Sequence, residues 1–326
     1  MKVGVTGAAG HLGSMICKSL LSKGYEVIAL VHTNKDGLKD LPISIVEGNI
    51  LDRESLKNFL SQCDAVIHAA SMIELSYKFN KGMFEVNVTG TKNVLEICRE
   101  LQISKIIYIS SIHVFCQDPL NTCLDEKRLF VSNQSTFYDQ TKRDAHLMCI
   151  EANKNGQNVV VICPSAIIGP NDYKPSKLGQ AIMDIYSDKF PALFKGGFDF
   201  VDVRDVADGV VSALDKGVPG ETYILSGKYH TVQELSTWIF ETKGLQKKLV
   251  ALPFFLAYAG LPFIRLYSFL TRKPQLYDRL YIDLLKGGNK LTSSKKAQND
   301  LGYKSRTLKE TLTDTINWMK SQHKIE

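Results

Sequence analysis

Lys2-Val3-Gly4-Val5-Thr6-Gly7-Ala8-Ala9-Gly10-His11-Leu12-Gly13 is the stretch that decides the architecture of this chain. Its apolar start predicts a short buried strand, Lys2–Thr6. Glycines at 7, 10 and 13 predict a tight turn, and the amphipathic run to Lys23 predicts a helix. A second strand, Tyr25–Val31, completes a βαβ unit of about thirty residues, the context that dinucleotide binding requires. A turn without Cβ atoms lets the backbone approach a pyrophosphate, and the helix start offers free N–H donors and a partly positive dipole end. Thr6, Gly7, Gly10, His11, Leu12 and Gly13 are therefore read as cofactor-binding. The spacing is G-x-x-G-x-x-G rather than G-x-G-x-x-G.

Outward from this unit, strands are expected at Ile43–Glu47, Ala65–Ala69, Lys105–Ser110 and Asn158–Cys163. Helices are expected at Arg53–Ser61, Gly82–Leu101 and Tyr138–Asn155. Near-continuous apolar strands alternating with amphipathic helices imply an α/β fold, a Rossmann-type doubly wound parallel sheet covered on both faces. Residues 1–170 form the expected NAD(P)-binding domain. Residues 171–326, richer in aromatics and prolines, form a smaller and mostly helical substrate lobe. Helices are expected there at Thr231–Thr242, Leu249–Leu270, Gln275–Leu285 and Leu308–Lys320. Asp199–Val203 and Thr222–Leu225 are expected to rejoin the main sheet or to pair with each other.

Ligands of such a sheet bind beyond the carboxyl ends of its strands, and the chemistry-bearing residues fall there. Strand two ends in Val31-His32-Thr33-Asn34-Lys35, with no acid before Asp36 to bond a ribose 2′-hydroxyl. His32 and Lys35 fit a 2′-phosphate instead, so the cofactor is read as NADP, with NAD as the alternative. Asn49 and Ile50 are placed at an adenine edge and face, and Ala69, Ala70 and Ser71 beside the cofactor ribose. Asn87 is either a capping amide or a brace of the active site, and is counted with the cofactor-binding residues. His68 reads as a packed core histidine. Ser110 and Ser111 are expected to point into the crevice from strand five.

Tyr138 and Lys142, four apart, share a helix face. A nearby ammonium lowers a phenol's pKa, so Tyr138 is expected to exchange a proton with a carbonyl or alcohol oxygen. Ser111 would hydrogen-bond that oxygen and stabilise its developing charge. His113 either points to solvent or reaches the pocket.

The net charge of +6 is spread along the chain without a basic stripe interleaved with aromatics, which excludes a nucleic-acid footprint. Seven cysteines, at 17, 63, 98, 116, 123, 149 and 163, form no CxxC pair or metal-ligand cluster. No metal site is expected, and reduced thiols point to the cytoplasm. A first strand beginning at Lys2 leaves no room for a cleavable leader. Leu249–Leu270 is apolar, but Pro253, Pro262 and Arg265 interrupt it. It is read as a helical cap whose Phe254, Phe255, Tyr258, Phe263 and Tyr267 line either an apolar substrate site or the core. Stable membrane insertion is not expected, and peripheral contact is the lesser alternative.

Taken together, these motifs resemble the extended short-chain dehydrogenase/reductases, also called the NAD-dependent epimerase/dehydratase family. The resemblance runs from Lys2 to about Lys320. It covers the glycine turn, His68-Ala69-Ala70, Asn87, the Ser111–Tyr138–Lys142 triad and Phe200-Val-Asp-Val-Arg-Asp205. It also covers Ser294-Lys-Lys-Ala297 through Leu301-Gly302-Tyr303. By resemblance Pro164-Ser165-Ala-Ile167-Ile168-Gly169-Pro170 contacts the nicotinamide, which adds Pro164 and Ile167 to the cofactor set. Ile112-His113 after Ser111 replaces the acid pair of the sugar-nucleotide dehydratases. The pattern is most similar to the dihydroflavonol-4-reductase-like and 3β-hydroxysteroid dehydrogenase-like branch, whose reductases usually carry Arg where this chain has His32. Cys163 stands where an Arg often precedes the Pro, so no contact with an anionic substrate is carried over from that position. The implied activity is NAD(P)-dependent oxidoreduction of a carbonyl or secondary alcohol on a mostly apolar small molecule. The alternative is a nucleotide-sugar epimerase with tightly bound NAD. A homodimer through the helices at 82–101 and 138–155 is a further implication.

Overall fold

The computed structural model describes residues 1–272 and 279–326, with the side chains at 266 and 267 outside that description. The first half alternates strand and helix: β1 (Lys2–Thr6), α1 (His11–Ser22), β2 (Glu26–Val31), β3 (Ser44–Glu47), α2 (Arg53–Leu60), β4 (Ala65–His68), α3 (Lys81–Phe84), α4 (Gly90–Glu100), β5 (Lys105–Ile109), α5 (Phe137–Lys154) and β6 (Val159–Pro164). The second half adds β7 (Ala166–Ile168), α6 (Lys177–Tyr186), β8 (Leu193–Phe194), β9 (Gly197–Asp202), α7 (Val203–Lys216), β10 (Thr222–Leu225), β11 (Lys228–Thr231), α8 (Val232–Glu241), β12 (Ala251–Leu252), α9 (Phe254–Thr271), α10 (Arg279–Gly287), α11 (Lys295–Leu301) and α12 (Leu308–Ser321).

The main sheet has seven parallel strands in the order β10-β6-β5-β4-β1-β2-β3. The chain leaves β1 toward β2 on one side and returns to β4 on the other, so the switch point lies between β1 and β4, where a crevice opens beyond the strand ends. Alternation divides the buried side chains. Val3, Val5, Ala29 and Ile107 pack on one face with α1 and α7. Ile28, Val66, Ile106 and Tyr108 pack on the other with α2, α4 and α5. Both faces are covered, which is why the strands read as continuous apolar runs.

Two local expectations change. Gly82–Leu101 is two helices joined by a π-turn, Glu85–Thr89, and the wider turn places Asn87 inside, 1 % exposed. Thr222–Leu225 does rejoin the main sheet, beside β6. Asp199–Val203 does neither of the expected things: β9 lies between β7 and antiparallel β11 in a separate sheet. The helix placed at Gln275–Leu285 is described from Arg279 onward, and its first residues lie outside the described residues.

Candidate active site

The nucleotide end of the crevice is made of backbone. Gly7 sits at φ +68°, and a Cβ there would stand 2.6 Å from the Ala70 nitrogen. A Cβ on Gly13 would stand 2.1 Å from the Gly7 carbonyl oxygen. These two glycines are dictated by the protein itself. Gly10 is not: its Cβ would meet only the Gly7 oxygen, at 3.2 Å, so a bare Gly10 leaves space for something else. Helices α2, α5, α6, α7, α8 and α12 are capped by the side chains of Asp52, Thr136, Ser176, Asp202, Thr231 and Thr307. Helix α1 begins at Gly10 with no side-chain cap, leaving its first-turn N–H groups for an anion. The residues present thus fit a dinucleotide diphosphate.

Other predicted cofactor residues are spent within the protein. Thr6 Oγ1 lies 2.6 Å from His68 Nδ1 and accepts from the Ala70 N–H, stapling β1 to β4. His68, whose other nitrogen meets Thr91, is held down to about 3 by burial and then by Lys142, and is a neutral core histidine. Asn87 accepts from Ser71 Oγ and Met72 N and donates to Met72 O and Thr141 Oγ1. Its amide has no capacity left. The expectation that it binds cofactor is therefore corrected: Asn87 braces the loop after β4 against α5. Ser71 is anchored by the same amide, while Ala69 and Ala70 border the turn through Gly7. His11 Nε2 lies 3.0 Å from the Pro170 carbonyl oxygen, tying the turn to the loop after β7. Leu12 and Ile167 pack at the edge of the α1 core, and Pro164 ends β6 opposite Leu225.

On the far side of β2, Asn49 Oδ1 accepts from its own Leu51 N–H, and its amide nitrogen lies 3.5 Å from His32. Ile50 is buried against Gly90. Lys35 is paired with Glu47 at 2.6 Å, a partner the sequence reading did not give it.

Chemistry gathers at the end of β5 and the start of α5. Strand alternation separates the two serines. Ser110 Oγ faces α5 and lies 3.1 Å from His146 Nδ1, so it does not point into the crevice as expected. Ser111 Oγ accepts from the His113 N–H at 3.2 Å and lies near enough to the Tyr138 phenol to act on its pKa. Burial pushes the Tyr138 phenol up, the Asp139 charge acts in the same direction, and the Ser111 contact pulls it down. Lys142 is buried and donates from Nζ to the Ile109 carbonyl at 2.7 Å, 4.6 Å above the Tyr108 ring. Its burial lowers it to about 8. Lys142 is not among the groups that shift the phenol here: burial dominates, and the cation is directed at a carbonyl. Burial thus keeps the phenol in its neutral form, which carries a proton.

A cavity of about 300 Å³ adjoins these residues. Ile112, His113, Thr136 and Asp139 line it from the catalytic side, Tyr77 from the loop after β4, Phe198 and Asp199 from β9, and Leu280, Asp283 and Leu284 from α10. His113 thus reaches the pocket, with Nδ1 3.6 Å from Asp139 Oδ1. Burial raises Asp139, opposed by His113, and raises Asp199 to about 6. Asp139, Asp199 and Asp283 were missed in the sequence, because nothing in their spacing sets them apart. The α9 aromatics divide: Phe254 packs in the core and Tyr258 donates to Asp283. Phe255 and Phe263 face outward, so they neither line the cavity nor pack in the core, which overturns both alternatives for them. Tyr267 lies outside the described side chains.

Comparison with known proteins agrees with this geometry. A family model described as "NAD dependent epimerase/dehydratase family" matches residues 3–226. The chain is 28% identical to "Sterol demethylase protein B" of Methylococcus capsulatus, over 98% of this chain and 99% of that one. It is 29% identical to "Putative dihydroflavonol 4-reductase" of Synechocystis, over 97% and 94%. The solved structure of gox2253 superposes with a TM-score of 0.86 at 26% identity, covering 99% of each chain. The fold is also that of a UDP-glucuronic acid 4-epimerase from Bacillus cereus, with a TM-score of 0.79, 21% identity, and 99% and 100% coverage.

Proposed function

The chain belongs to the NAD-dependent epimerase/dehydratase family, and from that premise we propose that it is an NADP-dependent reductase of a carbonyl group on an uncharged, mostly apolar small molecule. The observation that carries this is the Ser111–Tyr138 pair beside a cavity whose lining, among the described residues, includes three carboxyl groups and neither lysine nor arginine. Bound at the glycine turn, the dinucleotide supplies a hydride equivalent. Tyr138, kept protonated by burial, gives its hydroxyl proton to the substrate oxygen, and Ser111 hydrogen-bonds that oxygen as charge develops on it. Lys142, fixed by the Ile109 carbonyl, would hold the cofactor ribose. His32 and Lys35 would meet the 2′-phosphate, with Lys35 drawn from Glu47.

The cavity argues against the epimerase reading. Arg279 pairs with Asp283 at 3.6 Å, but a nucleoside diphosphate placed against Asp139 and Asp199, with no lysine or arginine among the described lining residues, would be repelled at short range. The test is a fluorescence titration with NADH and NADPH, followed by a panel of neutral carbonyl compounds monitored by nicotinamide absorbance. Tyr138→Phe is expected to lower turnover by about 10²–10⁴ while cofactor affinity holds. A variant with most of its turnover would overturn the assignment. Firmly bound NAD with no NADPH consumption on any carbonyl would favour the epimerase.

A further inference from the structure

We infer that the outer face of α9 docks on an anionic lipid bilayer, beside the mouth of the substrate cavity. A helix on a soluble surface ordinarily turns its apolar stripe inward and its polar side to water. Helix α9 is apolar on both its inner and its outer side. Its inner side, Ala257 and Leu261, packs on Ile282 of α10. Its outer side carries Phe255, Leu256, Phe263, Phe269 and Leu270, with Phe263 74% and Phe269 81% exposed. These residues recur at helical spacing along eighteen residues, about 27 Å of helix. It is the one helix among the described residues long and apolar enough to cross a membrane. Yet it carries Arg265 at its centre and is held to α10 by the Tyr258–Asp283 bond, so it lies on a bilayer rather than through it.

Charge selects the occupant. Between Glu241 and Asp278 the sequence has six lysines and arginines and no acid, and Lys248, Arg265 and Arg272 are exposed. Basic residues around an aromatic and aliphatic face are the composition of interfacial helices on anionic lipid. The cavity lies alongside: Asp283, which accepts from Tyr258, lines it, and Tyr77 at its rim lies close enough to shift the Tyr258 phenol. Docking here brings the cavity mouth near the bilayer, the phase in which an apolar substrate concentrates.

The experiment needs no substrate, so it stands or fails apart from the reductase reading. The full chain is sedimented with phosphatidylcholine vesicles and with vesicles containing about 30 mol% phosphatidylglycerol, at low and high salt. Co-sedimentation is expected only with the anionic vesicles and is expected to weaken with salt. The triple variant Phe255→Ser, Phe263→Ser and Phe269→Ser is expected to partition about tenfold less or worse, with its circular dichroism and melting temperature unchanged. Arg265→Gln with Arg272→Gln is expected to lose mainly the anionic preference. No binding by the unaltered chain, or equal binding by the triple variant, would overturn the inference. So would a dimer that the triple variant converts to monomer, because a second copy would then cover this face. Release only by detergent would show a spanning helix and overturn it as well.

Discussion

The two ends of the crevice offer their ligands different means of recognition. At the proposed nucleotide end these are backbone N–H groups of an uncapped helix, and side chains matter mainly by being absent, as at Gly7, Gly10 and Gly13. At the substrate end the wall is assembled from side chains on the loop after β4, the turn after β5, and α5, β9 and α10. A backbone site tolerates almost no substitution but reads only shape and charge. A side-chain wall can be rebuilt one residue at a time, which is how one fold takes many substrates.

Gly13→Ala puts the largest strain on this contrast. The new methyl overlaps the Gly7 carbonyl, so cofactor binding is expected to be lost in titration, with about 1–3 kcal/mol of stability. A variant that still binds NADPH normally would show that the turn is not the diphosphate site. The substrate end is probed next through Asp199. Its folded carboxyl titrates near 6, above its unfolded value. The stabilisation is therefore complete below the unfolded value and is lost as pH rises through the folded one. Between pH about 4 and 7 the chain is expected to lose about 3 kcal/mol from this group. Urea melts of Asp199→Asn should lack that slope, and an unchanged slope would place its origin elsewhere. The smallest effect is expected at the ribose. Lys35→Ala should raise the KM for NADPH relative to NADH by about twofold to threefold, because the pair with Glu47 is exposed and screened. Glu47→Gln should shift the ratio the other way, and no shift in either would remove Lys35 from the phosphate site.

The π-turn at Glu85–Thr89 shows where the sequence ran short. Periodicity predicts one helix over 82–101 because a single wide turn leaves the apolar pattern on both sides intact. Only the fold shows that this turn swings Asn87 into a fully bonded brace. Ser110 and Ser111 teach the same lesson at the scale of one residue. Both stand at a strand end, and the phase of the pleat, fixed by pairing with β6 and β4, decides which one meets Tyr138. Lys35 had no visible partner until β3 paired with β2 and set Glu47 beside Val31.

The sequence by itself determined the α/β architecture, the glycine turn and the helical spacing of Tyr138 and Lys142, because those depend on local sterics and periodicity along a continuous stretch. Tertiary structure alone decided which polar groups are spent on the protein, where Lys142 directs its charge, and that three distant aspartates share one cavity. It also decided that the apolar side of α9 faces outward. Burial and long-range pairing set all of these, and neither is encoded in the spacing of neighbours along the chain.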